Sequence, residues 1–169
     1  MPDRPAPSPS LNDDLRLPWI ITYGMALLLL AYVIVAYSYS ASIPAAITLT
    51  EEQRLSLRTI FYWLAILTLP LTNLIRHIQL RLNQTMPTAT PAKNRYLLTV
   101  LVSMVLIESI GLYGLLLFYL GDGVNSLFIF SGLSALGLFL YRPKLAEYRS
   151  VVEALADKQA ANQPLSQDR

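Results

Sequence analysis

Four long apolar runs alternate with short polar ones along this chain, and the runs are longer than soluble helices need. From Pro18 to Tyr39, "PWIITYGMALLLLAYVIVAYSY" carries no charge, and about 20 such residues in a helix cross the ~30 Å hydrocarbon layer of a bilayer. Pro18 and Trp19 stand at one end and Tyr37 and Tyr39 at the other, where amphipathic rings meet the interface. "SASIPAAI" then breaks the helix with small residues and Pro44. In "TLTEEQ", Thr50 with Gln53 three residues on is a capping-box pattern and opens the next helix. A second span follows from Leu57 to Ile75. Pro70 inside it has no N–H for the Ile66 carbonyl, so the sequence predicts a kink and a free acceptor there.

"RHIQLRLNQTMPTATPAKNR" is basic at both ends and rich in Thr, Pro and Asn between, which reads as a short helical extension and a loop. The third span runs from Tyr96 to Leu120, "GDG" makes a tight turn, and the fourth runs from Val124 to Tyr141. So short a connection makes the third and fourth helices an antiparallel hairpin. Beyond "YRPK", Leu145, Tyr148, Val152 and Leu155 recur at helical spacing, as in an amphipathic helix lying on the bilayer or against the basic loop. The pattern predicts an all-α fold: a four-transmembrane-helix bundle with spans near 18–39, 57–75, 96–120 and 124–141, and a C-terminal amphipathic helix over 142–160. Residues 1–17, rich in Pro, Ser and charge, read as a disordered tail rather than a signal peptide, and 161–169 as a second disordered tail.

Composition agrees with the periodicity. Of 169 residues, 54% are hydrophobic and 14% charged, and the mean hydropathy is +0.44, outside the range of a soluble domain. The chain has no Cys and one His, His77, which excludes disulfides, thiolate chemistry and a His-built metal site. Neither a P-loop, nor a nucleophile elbow, nor a dinucleotide fingerprint appears, and no basic–aromatic interleaving suggests nucleic acid. No cofactor, metal or enzymatic activity is expected. The expected partner is the lipid bilayer, with other membrane subunits or self-association as further possibilities.

Charge sets the topology. Of 13 Lys and Arg, 11 fall in the N-terminal tail, the middle loop and the C-terminal segment, and only Arg54 and Arg58 lie on the opposite side. Cytoplasmic loops carry the excess of basic residues, so both termini are expected in the cytoplasm. Compact size and the lack of a targeting segment suit a bacterial inner membrane.

One residue breaks the apolar pattern. In "MVLIESIGLYGLLLFYLGDG", Glu108 lies at the centre of the third span, too deep for a short side chain to reach the interface. No Lys or Arg lies deep in any span to pair with it, so a protonated, hydrogen-bonded carboxyl is expected. Helical spacing puts Met104, Gly111, Leu112 and Leu115 on its face, and Gly111 permits close backbone approach. Depth matching offers Tyr32, Thr68, Ser131, Ser134 and the Ile66 carbonyl as partners. The acid is then either a polar staple fixing helix register or a proton- or cation-binding group. Translocation calls for a chain of polar groups, and a single acid favours the staple. "SGLSALG", residues 131–137, supplies small residues for close packing of the fourth helix.

"IESIGLYGLLLFYL", Ile107 to Leu120, resembles the carboxylate-bearing helix of the rotor-ring c/K subunits of F- and V-type ATPases. In that family the matching acid binds the transported proton or sodium ion, so the resemblance implies ion binding at Glu108. The glycine-rich inner helix and short polar loop of that family are missing here. As a whole the chain resembles small four-helix bacterial inner-membrane proteins sharing this local signature, which implies a membrane location and that fold.

Overall fold

The computed structural model describes residues 11–38, 49–85 and 91–162. Among them every regular element is helical: α1 (Leu11–Asp14), α2 (Arg16–Ser38), α3 (Glu51–Thr85), α4 (Ala92–Tyr119), α5 (Val124–Leu140) and α6 (Leu145–Asn162). Three of them, α2, α3 and α4, are long and apolar enough to cross a membrane, and α5 with α6 makes a fourth candidate bent by 45°. The chain is helical from Leu11, within the stretch expected to be disordered up to residue 17, and Leu15 is buried there. The break around Pro44, Tyr39, the loop at 86–90 and the terminal tails at 1–10 and 163–169 lie outside the described residues.

Local chemistry sets the helix ends. The Thr50 amide donates to Gln53 Oε1 at 3.1 Å and the Gln53 amide to Thr50 Oγ1 at 3.3 Å, the reciprocal capping box. α3 then runs without interruption through Pro70 to Thr85, ten residues past the expected end of its span. Between α4 and α5, Gly121 adopts φ 84°, a left-handed conformation open to glycine at no steric penalty. The Asp122 amide closes the turn onto the Leu117 carbonyl at 2.9 Å.

α4 is the hub and touches α2, α3, α5 and α6. Its pairing with α5 is antiparallel: Gly114 lies against Phe130 at one level and Gly137 against Ile107 at the other. A Cβ on Gly114 would come 2.6 Å from Phe130 Cβ, and one on Gly137 2.6 Å from Ile107 Cγ2, so both glycines set how closely the backbones approach. α2 runs parallel to α4, with Asp14 paired to Lys93 at 3.1 Å at one end and Tyr32 over Gly111 farther along. α3 runs antiparallel to α4, bonded through Asn83 Nδ2 to Thr99 Oγ1 at 3.0 Å and from the Arg95 guanidinium to the Asn83 carbonyl at 3.0 Å.

Polar contacts gather at the two ends of this bundle. At one end Arg58 pairs with Asp122 and Arg54 donates to the Gly121 carbonyl at 3.0 Å. At the other Arg76 pairs with Glu147 at 2.6 Å and donates to the Tyr141 carbonyl at 2.9 Å, while Tyr96 Oη accepts the Lys144 amide at 2.9 Å. Arg58 and Arg76 are 18 residues apart on α3, about 27 Å at the helical rise. Between them Ile60, Trp63, Leu67, Leu71 and Leu74 are exposed. α6 folds back on α3 and α4 and buries Tyr148 and Val151. Of the residues expected on its apolar face, Val152 and Leu155 are half-buried and Leu145 is exposed. The burial stripe is therefore rotated toward Val151.

Candidate functional site

Glu108 occupies the buried face of α4 with Met104, Ile107 and Gly111, and is only 4% exposed. Leu112 and Leu115, expected on the same face, point outward or half outward. An α-helix turns about 100° per residue, so Leu112 lies at the margin of that face, where neighbouring helices no longer cover it.

Gly111 is the seat of the site. A Cβ there would collide with the Tyr32 hydroxyl, lie 2.8 Å from Leu29 Cδ1 and come within 3.3 Å of Ser134 Cβ. Three helices thus converge one turn from the carboxyl. The Tyr32 hydroxyl sits within electrostatic reach of the carboxyl, without the geometry of a hydrogen bond: Tyr32 Oη and both Glu108 oxygens have no hydrogen-bond partner among the described residues.

None of the other expected partners bonds the carboxyl, and two of them, Thr68 and Ser134, are engaged elsewhere. Thr68 Oγ1 donates to the Leu64 carbonyl of its own helix at 2.7 Å, the usual resting place of a threonine hydroxyl in an apolar helix. Ser134 Oγ donates across the hairpin to the Ile107 carbonyl at 3.0 Å. Ser131 Oγ is buried without a partner among the described residues. The Ile66 carbonyl receives nothing from Glu108; the carbonyl that a side chain reaches beside Pro70 is that of Leu69, which accepts from Tyr141 Oη at 3.0 Å. Depth matching finds groups at the right height but cannot find their azimuth, and on that ground only Tyr32 joins the acid.

The chemistry open to this arrangement is narrow. One carboxyl can hold one proton beside one phenol, and among the described residues no cluster of three His, Cys, Asp or Glu could hold a metal. Among the described residues no second acid stands by to complete a general acid–base pair: the other buried carboxylate there, Asp122, is in the turn and occupied by Arg58 and Ser126.

No protein-family model, curated protein or solved structure matches the chain.

The two end clusters were not anticipated from the sequence. Their signal was there in part: Asp122 in "GDG" and Arg58 near the start of α3 are charges flanking apolar runs. What the pattern lacked was the pairing, which spans 64 residues.

Proposed function

We propose that this chain is a four-span helical protein of the bacterial inner membrane, with both termini cytoplasmic and a non-enzymatic structural or accessory role. Glu108 and Tyr32 in this reading hold α2 in register on the α4–α5 hairpin. The observation that carries it is the enclosure of Glu108, 4% exposed among α2, α4 and α5. An acid that exchanges ions with a neighbouring subunit has to reach a lipid-facing or intersubunit surface, and this one faces inward.

Four crossings are supported by the two polar ends. The ~27 Å between Arg58 and Arg76 along α3 is close to the ~30 Å hydrocarbon thickness, and α5, with 17 residues, is ~26 Å long. The polar end holding Asp14, Lys93, Arg76 and Arg142 is the one where 11 of the 13 basic residues belong by sequence, which favours a cytoplasmic location for it.

A second reading, a proton- or cation-binding transport subunit centred on Glu108, is favoured by one observation: both carboxyl oxygens lack a hydrogen-bond partner among the described residues. Labelling by an apolar carbodiimide, which attacks protonated carboxyls accessible from lipid, separates the two. The structural reading expects slow labelling of Glu108 and no proton flux in reconstituted vesicles. Rapid labelling that sodium or rising pH suppresses overturns it and establishes the transport reading.

A further inference from the structure

Between the outer faces of α2 and α5 runs an apolar groove of about 770 Å³. Its walls include Ala26, Leu30 and Val33 from α2 and Gly132, Ala135 and Phe139 from α5. Small residues in the walls leave the slot open: a Cβ on Gly132 would meet nothing within 4 Å. From Trp19 to Val33 the groove follows 15 residues of α2, about 21 Å at the helical rise, more than the ~15 Å depth of one leaflet's hydrocarbon.

One end of the groove is charged. Arg142 lines it directly, its guanidinium 4.5 Å from the centroid of the Phe139 ring. Trp19 and Tyr23 line both this groove and an adjoining recess of about 490 Å³ that contains Arg16. Both arginines are exposed, and neither forms an ion pair among the described residues. The groove thus joins an apolar slot to two exposed arginines that form no ion pair among the described residues.

We infer that this groove binds one anionic phospholipid from the leaflet on the side of the termini, with its phosphate between Arg16 and Arg142 and an acyl chain along the slot. Charge decides the occupant. The two helices that form the groove would offer a second copy no counter-charge along the slot, because neither α2 nor α5 contains an acidic residue. Such a copy would set arginine against arginine. Basic residues at the surface of an anionic leaflet each strengthen attachment about fivefold, so two arginines around one phosphate give a preference of about 30-fold for an anionic over a zwitterionic headgroup.

This inference rests on the chain's being inserted in a bilayer, and the experiment scores that separately. Full-length protein is first tested for carbonate-resistant pelleting with membranes, then reconstituted with equal phosphatidylglycerol and phosphatidylcholine, and its retained lipids are counted by native mass spectrometry. Wild type is expected to retain one phosphatidylglycerol. Arg16→Gln with Arg142→Gln should abolish the headgroup preference, and Gly132→Leu, or Ala135→Leu, should fill the slot and lower retention of both lipids, with helicity unchanged in each. Retention of both lipids alike by wild type, preference surviving the double Arg substitution, or a protein chain on this face in place of lipid each overturns the groove assignment. Failure to pellet overturns the membrane reading instead.

Discussion

Arg58 grips Asp122 across 64 residues of chain, with Nε 2.9 Å from Oδ2 and Nη2 on Oδ1. The pair locks the start of α3 to the α4–α5 turn, and its two members are unequally placed: the Asp122 side chain is 0% exposed and that of Arg58 37%. Removing Arg58 leaves a buried carboxylate with Ser126 as its remaining side-chain partner, whereas removing the acid leaves a cation that water can reach. Arg58→Leu is expected to destabilise by about 1–3 kcal/mol and Asp122→Asn by clearly less. Apparent melting temperatures in one detergent give the comparison, and equal losses would contradict the asymmetry.

The same pair sets an acid limit. Burial pushes the Asp122 carboxyl up, but the Arg58 and Ser126 hydrogen bonds and the guanidinium charge outweigh it and hold the group below the ordinary 3.8. At Asp14 the Tyr148 hydrogen bond, with Lys93 beside it, likewise outweighs burial. A carboxyl whose value is lowered by folding stabilises fully above its unfolded value and loses that contribution as pH falls through the folded one. Stability should therefore hold from neutral pH to about 4 and drop below 3.8. Asp122→Asn with Asp14→Asn should flatten that drop in an acid series of melting temperatures.

Glycines on the hairpin are expected to divide sharply. Ala at Gly114 or Gly137 drives a Cβ to 2.6 Å of a carbon held close to the opposing backbone, and such overpacking costs about 1–3 kcal/mol. Ala at Gly132 meets open space and should stay within about 0.5 kcal/mol of wild type. At Gly111 the closest colliding atom is the far end of Tyr32, with Leu29 Cδ1 behind it at 2.8 Å, so Gly111→Ala should be partly rescued by Tyr32→Phe, as a double-mutant cycle reads directly.

Detachment of α6 is expected from a single neutralisation. Arg76, 4% exposed, is neutralised by Glu147 on α6, and Glu147→Gln leaves the guanidinium buried with neutral acceptors and no counter-charge. Hydrogen exchange of the amides from 145 to 155 should rise about tenfold, with α4 unchanged. Uniform protection in α6 would show that Tyr148 and Val151 hold the helix by packing.

Topology has a direct assay. Reporter fusions at residue 169 and near Ala46 should give opposite signals, the first cytoplasmic. A periplasmic C-terminus would defeat the orientation argued from the basic residues.

Much of this molecule was legible in its amino-acid order because the informative physics is local. Apolar run length fixed the helices, the Thr50–Gln53 box fixed where α3 starts, and the "GDG" turn fixed the α4–α5 hairpin. The depth of Glu108 follows from counting residues, and so does its incompatibility with exposure as a charge. Azimuth and partner choice were decided by the tertiary structure alone. Which hydroxyl meets Glu108 depends on how α2 rotates against Gly111, and that rotation is set jointly by Leu29, Tyr32 and Ser134 from two other helices. The pairings Arg58–Asp122 and Arg76–Glu147 depend on α3 lying antiparallel to α4 with α6 folded back over both. A periodic pattern records one helix's distribution of apolar side chains, but a contact between helices is a property of two rotations and a translation, and none of these is written in either segment by itself.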